Sequence, residues 1–144
     1  MPDSFTIPVP FTVIGGFLGS GKTTLLNYLL SQSKGIRFAV LVNDFGDLNI
    51  DESLISSHDG QTISLANGCV CCSISNDFNQ TMINLVKRIE EFDQVVVEAS
   101  GVSEPARIMD IARLDPELSP SGIVVLVDAA EVQNFSTDRY ISNT

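Results

Sequence analysis

Unbroken aliphatic runs alternate along this chain with stretches whose apolar residues recur every three or four positions. The runs are Phe11 to Ile14, Phe38 to Val42, Val95 to Val97 and Ile123 to Val127. Short continuous Val/Ile/Leu segments of this kind predict strands covered on both faces, unlike the alternating pattern of a half-exposed sheet. Helical spacing appears from Lys22 to Ser33, where Leu25, Leu26, Leu29 and Leu30 share a face. It returns from Asn76 to Phe92 through Phe78, Met82, Leu85, Val86 and Ile89, and again from Glu104 to Leu114. The region between the second run and Asn76 reads as loop-rich. Asp59-Gly60 and Asn67-Gly68 are turn signals there, and Thr62 to Leu65 is the one short strand expected. Strands separated by helical crossovers predict an α/β fold with a mostly parallel sheet.

Composition narrows the function classes. The chain has 144 residues, one domain's worth, with 44% hydrophobic and 18% charged residues. Eight Lys and Arg against eighteen Asp and Glu give a net charge of −10. A basic footprint for nucleic acid is absent, and an anionic membrane surface would repel the chain. An anionic ligand must therefore be held by local backbone dipoles and a few placed cations. No apolar run approaches the length of a membrane-spanning helix, and Met1 to Pro10 lacks the basic cluster and apolar core of a signal peptide. Three cysteines, an odd number within four positions, do not make a secreted disulfide framework. A cytoplasmic protein is expected.

The first run ends in Gly15-Gly16, and Gly16-Phe17-Leu18-Gly19-Ser20-Gly21-Lys22-Thr23 matches G-x-x-x-x-G-K-[ST]. Glycines let the backbone wrap closely around phosphates, so that successive N–H groups and the next helix N-terminus face the anion. In this role Lys22 reaches the β- and γ-phosphates, and the Thr23 hydroxyl ligates Mg²⁺. The strand before and the helix after are the context that this P-loop requires. A second carboxylate at a strand end is needed for the Mg²⁺ shell, and Glu98 supplies it after Val95-Val96-Val97. Gly101 follows, placed to offer a backbone N–H to the γ-phosphate. A surface glutamate after a strand is the plainer alternative for Glu98. Asp128 ends the last run and either nears the nucleotide or caps the next segment. Val102 follows Gly101, so no glutamine stands there to orient an attacking water. Asp44 and Glu104 are the candidates for that role, and intrinsic hydrolysis should be slow.

All three cysteines lie in Cys69-Val70-Cys71-Cys72. Thiolates bind Zn²⁺ and similar soft ions strongly. On an extended segment Cys69 and Cys71 point one way and Cys72 the other. Convergence of three sulfurs thus requires a turn at Cys71–Cys72, with Asp44, His58, a water or a partner's ligand in the fourth position. Few fixed ligands suit metal transfer better than structural closure. A redox pair, or small buried apolar residues, would account for the same cysteines, and His58 alone is equally an ordinary surface histidine.

Taken in order, Gly15-Gly16-Phe17-Leu18-Gly19-Ser20-Gly21-Lys22-Thr23-Thr24, Val42-Asn43-Asp44-Phe45-Gly46, Asn67-Gly68-Cys69-Val70-Cys71-Cys72 and Glu98-Ala99-Ser100-Gly101 with Pro105 resemble the CobW family. These are P-loop GTPases related to the UreG and HypB nickel-insertion proteins, and the resemblance runs from about Pro8 to Asp128. It implies a GTP-hydrolysing metallochaperone that hands a divalent metal, zinc before others, to a client metalloprotein. It also implies that Cys69, Cys71 and Cys72 bind Zn²⁺, that Gly16 to Thr24 and Gly101 hold the nucleotide, and that Lys22, Glu98 and Asp44 serve hydrolysis. Thr23 and Glu98 would hold Mg²⁺, and the Asn43–Asp51 stretch would sense the nucleotide. Asp44 stands where the family more often has Glu, one methylene longer. The family's guanine-recognition motif and C-terminal domain do not follow before Thr144, so the chain reads as a partial GTPase domain, and GTP over ATP rests on the resemblance. A nucleotide-binding metal buffer or sensor with negligible turnover is the competing reading. An ATP-dependent kinase is a third, with no phosphoryl-acceptor site in its favour.

Overall fold

The computed structural model describes residues 7–16, 21–43, 45, 48–74, 78–99 and 104–130. Strand β1 (Val9–Gly16) is followed by helix α1 (Lys22–Ser31) and strand β2 (Phe38–Val42). A 3-10 turn at Glu52–Leu54 opens a hairpin of β3 (Ile55–Asp59) and β4 (Thr62–Leu65), and β5 (Val70–Ser73) returns beside it. Helix α2 (Phe78–Val86), a 3-10 turn at Ile89–Glu91, β6 (Gln94–Glu98), α3 (Pro105–Leu114) and β7 (Leu118–Leu126) complete the order.

The strands form one seven-stranded sheet in the order β3-β4-β5-β2-β6-β1-β7. Neighbours from β5 through β7 run parallel, and only the β3/β4 and β4/β5 pairs are antiparallel. This is the mostly parallel α/β sheet that the aliphatic runs predict. All five residues of β2 are buried because both of its faces are covered. Leu26 and Leu30 of α1 pack with Val40, Val42 and Val96 on one face. Met82 and Leu85 of α2 and Met109 and Ala112 of α3 pack with Val13, Leu41, Val95 and Val97 on the other. Each fully buried leucine contributes about 1.5–3 kcal/mol over its exposed state. At the opposite end of the strands, Arg37 donates its backbone N–H (2.8 Å) and two guanidinium N–H groups (3.2 and 3.1 Å) to the Asp93 carboxylate. That fork ties the start of β2 to the start of β6.

Four elements differ from the sequence reading. The loop-rich region contains two further strands, β3 and β5. β3 is a polar edge strand (Ile-Ser-Ser-His-Asp) with no apolar row to betray it, and β5 is the cysteine segment itself. The helix expected from Asn76 to Phe92 is described from Phe78 and ends at Val86, with the rest of the apolar spacing carried by the turn at Ile89–Glu91. Among the described residues, the last run is not covered on both faces. β7 begins earlier, at Leu118, pairs among the described residues with β1 alone, and carries Pro120 beside the register shift between Phe11 and Thr12. Its Ile123, Val124 and Val125 remain 42–44% exposed.

Candidate nucleotide and metal site

The carboxyl ends of β1 and β6 lie side by side, with Ile14 opposite Glu98 and the Ala99 N–H donating to the Ile14 carbonyl at 2.8 Å. Gly15 is pressed against the start of α3, where a Cβ added to it would meet Pro105 Cγ at 2.9 Å. The chain enters α1 through Gly21, whose φ of 102° is left-handed and open to glycine at little cost. Among the described residues, no side chain caps α1 and no acidic residue lies in its first turn. A helix N-terminus of this kind presents N–H groups and a positive dipole end to an anion.

Lys22 turns back over this end of the sheet. It is 7% exposed, and its Nζ donates to the Gly16 carbonyl at 2.5 Å and to the Ala99 carbonyl at 3.3 Å. A buried ammonium requires such acceptors. The two carbonyls mark the place where its charge rests, between the phosphate-loop motif and the strand that delivers Glu98. Thr23 is partly buried in the same turn and Thr24 is exposed. Phe17, Leu18, Gly19 and Ser20, together with Asp44 and Gly101, lie outside the described residues. The carbonyl partners of Lys22 could not be found from sequence, because they are backbone groups that only the fold brings together.

The remaining acids find local partners. The Asp51 carboxylate accepts from the Ser53 N–H at 2.9 Å, which holds its pKa below the ordinary carboxylate value. Asp128 accepts from the Ala130 N–H at 2.9 Å. Glu104 is exposed and pairs with Arg107 at 3.0 Å.

The cysteines are divided by the sheet. Val70–Ser73 is continuous strand, bonded to β2 on one side and β4 on the other, so the turn needed at Cys71–Cys72 is absent. Cys69 and Cys71 are 0% exposed on the α1 side, and Cys72 packs toward α2. The Cys69 sulfur accepts from the Phe38 N–H at 3.3 Å and lies 3.5 Å from the Ile36 carbonyl. Desolvation, reinforced by Cys72 and Glu98, pushes the Cys71 thiol far above its ordinary range. Desolvation also raises Cys72, against the opposing effects of Thr62 and Arg88. His58 stands in register with Ile63, which is in register with Cys71, so two strand spacings, about 10 Å, separate His58 from that thiol. Its ring instead meets Phe45 edge-on at 5.7 Å. Among the described residues, no group of three or more His, Cys, Asp or Glu is arranged to hold a metal ion. The expected convergence of Cys69, Cys71 and Cys72 is thus not the arrangement of the closed sheet.

The family model described as CobW/HypB/UreG, nucleotide-binding domain, matches residues 10–144. The chain belongs to this family. It is 35% identical over 130 residues to the zinc chaperone YjiA of Escherichia coli (strain K12), covering 85% of this chain and 41% of that protein. It is 38% identical over 115 residues to the zinc-regulated GTPase metalloprotein activator 1 of Dictyostelium discoideum, covering 71% of this chain and 24% of that one. The crystal structure of the Zn(II)-bound YjiA GTPase superposes with a TM-score of 0.73 at 31% identity, over 94% of this chain and 45% of that chain. A Zn(II)-bound YjiA triple mutant, with one glutamate and two consecutive cysteines replaced by alanine, gives 0.71 at 32% identity, over 89% and 43%. The chain therefore spans less than half the length of these relatives. Membership makes the fold the P-loop one, and the family's nucleotide-binding domain is the part that this chain supplies. Among the described residues, no helix is long and apolar enough to cross a membrane.

Proposed function

We propose that this chain is the phosphate-binding part of a GTP-hydrolysing protein that handles zinc. One observation carries the reading: Lys22 is folded over the joined ends of β1 and β6, beside an uncapped α1 N-terminus. A triphosphate placed there would exchange the Gly16 and Ala99 carbonyls for its own oxygens as partners of the ammonium. The helix N–H groups would take up further phosphate charge. Thr23 and Glu98, oxygen donors at the same strand end, fit Mg²⁺, a hard cation. When bound, Mg²⁺ neutralises charge building on the triphosphate. This chain's share is positioning. Lys22 would hold the β/γ oxygens, Glu98 would help hold Mg²⁺, and Asp44 and Glu104 are the candidates for placing the attacking water. Guanine as the base follows from the family's GTPases.

The zinc reading draws on the names of the relatives and on Cys69, Cys71 and Cys72. Consecutive cysteines recur here as Cys71-Cys72, but the YjiA triple mutant that lacks two such cysteines is itself Zn(II)-bound, so the reading rests on the thiols' own affinity for soft ions. Counted back from that pair, the mutant's glutamate interval reaches Val42 in this chain, a fully buried aliphatic residue. A client metalloprotein would be the zinc recipient. The test is multiple-turnover phosphate release from GTP, with and without Zn²⁺, by the wild-type chain and by Lys22→Ala. Slow release that Zn²⁺ alters and the substitution abolishes is expected. No release above background would leave a nucleotide-binding buffer, and equal release by both proteins would sink the assignment.

A further inference from the structure

The three thiols differ sharply in access. Cys69 and Cys71 are sealed in the layer beneath α1, and Cys69 is engaged with the backbone at Phe38 and Ile36. Cys72 is partly exposed and faces the other side. There it lines a cavity of about 80 Å³ between the β4–β5 pair and α2, whose other polar walls include Thr62, Ser73, Thr81, Asn84 and Arg88. That volume is on the order of three waters at ~30 Å³ each, enough for an ion and part of its shell. Thr62 Oγ1 donates to the Cys72 sulfur at 3.9 Å, and Val70, Leu85 and Phe92 complete the lining.

We infer that Cys72 is the thiol at which a metal ion enters and leaves, through the α2 cavity, and that Cys71 joins it only when β5 loosens from its neighbours. The inference rests on the proposal that this cysteine segment handles zinc. Its basis is geometric. Adjacent residues of a paired strand point to opposite faces, so Cys71 and Cys72 cannot share an ion while Ala39 to Val42 and Val70 to Ser73 remain paired. Zn²⁺ arriving on a small carrier would form its first protein bond to the Cys72 sulfur. One carrier ligand is released, and the thiol proton passes to solvent or to that departing ligand. The second thiolate bond forms the same way once the strand opens, with the ion's charge unchanged throughout.

The experiment is pulse alkylation of the full chain with iodoacetamide, resolved by peptide mass spectrometry, with and without ZnSO₄. Cys72 should be labelled first, with Cys69 and Cys71 slower by about 100-fold or more, because they react only from opened states. ZnSO₄ should protect Cys72 at the lowest metal concentration. Cys72→Ser, at a partly exposed position, should slow zinc uptake from a chromophoric chelator at least tenfold. Labelling of Cys71 or Cys69 as fast as Cys72, or undiminished uptake by Cys72→Ser, overturns the inference while leaving zinc binding intact. Failure of ZnSO₄ to protect any cysteine overturns the zinc reading and the inference with it.

Discussion

Replacing Lys22 by Met keeps the length of the side chain and removes its charge and its donors. In the ligand-free protein two effects oppose each other. The Gly16 and Ala99 carbonyls lose charge-assisted hydrogen bonds, each contributing about 1.5–3 kcal/mol. A 7% exposed ammonium also no longer has to be desolvated, a cost of several kcal/mol per ion. The net change in folding stability should therefore be small, within about 2 kcal/mol in either direction. Triphosphate binding has no such offset. The ammonium would exchange two carbonyl partners for phosphate oxygens, so its contribution is the difference between the two sets, roughly 2–4 kcal/mol. That corresponds to an affinity loss of about 30- to 1,000-fold. Urea denaturation without nucleotide gives the first quantity, and calorimetric titration with a non-hydrolysable GTP analogue gives the second. Wild-type affinity in Lys22→Met would refute the reasoning, because it would make the buried lysine a structural tie between β1 and β6. A collapse of stability accompanying the affinity loss would refute the claim that the two carbonyl bonds are only a resting state.

Gly15→Ala should destabilise the fold by about 1–3 kcal/mol, since its Cβ would stand 2.9 Å from Pro105 Cγ at the start of a packed helix. An unmoved urea midpoint would show that α3 shifts away at no cost. Glu98→Gln should lower steady-state phosphate release much more than nucleotide affinity, and unchanged turnover would remove Glu98 from the chemistry. The Arg37 fork lowers the pKa of Asp93, so the stability from this pair is complete above the unfolded carboxylate value of about 4. It fades as pH falls through the lower folded value. Asp93→Asn should therefore flatten the acid limb of a melting-temperature profile below about pH 4, and an unaltered limb would count against the pair.

Fold class and phosphate-loop motif were legible because each has a signature that survives without tertiary context. Runs such as Phe38 to Val42 have the composition of a doubly covered strand, and the spacing from Gly16 to Thr23 is fixed by what a phosphate needs. The failures came where neighbours decide. β3 presents four polar residues in five and is a strand only because β4 lies beside it. Ile123 to Val127 has core composition, but its burial depends on what flanks it, and among the described residues β7 bonds β1 alone. The cysteines are the instructive case. Alternation along an extended segment was sufficient to separate Cys72 from Cys69 and Cys71. Local sequence did not reveal that β2 and β4 pair with that segment and hold it extended.

The same pairing places the two proposed chemistries closer than their separation in sequence suggests. β2 is bonded to β5 on one side and to β6 on the other. Val40 stands opposite both Cys71 and Val96, and Leu41 opposite both Cys72 and Val97, one residue short of Glu98. β2 also leads directly into the Asn43–Asp51 stretch expected to respond to nucleotide. A displacement of β2 thus changes the footing of the thiols and of Glu98, the carboxylate proposed for magnesium, together. If metal loading requires β5 to loosen from β2, the cost of that loosening is part of the zinc affinity. Any nucleotide state that firms or relaxes β2 then alters this cost. Linkage makes the effect mutual: the factor by which nucleotide changes zinc affinity equals the factor by which zinc changes nucleotide affinity. Couplings of this kind typically amount to about 1–3 kcal/mol, or roughly 5- to 150-fold. Rupture of a few of the β2–β5 ladder bonds, at a net ~0.5–1.5 kcal/mol each, is of the right size to supply it. Under the two proposals, the strand between the sites would suffice as the coupling element, with no further relay of side chains required.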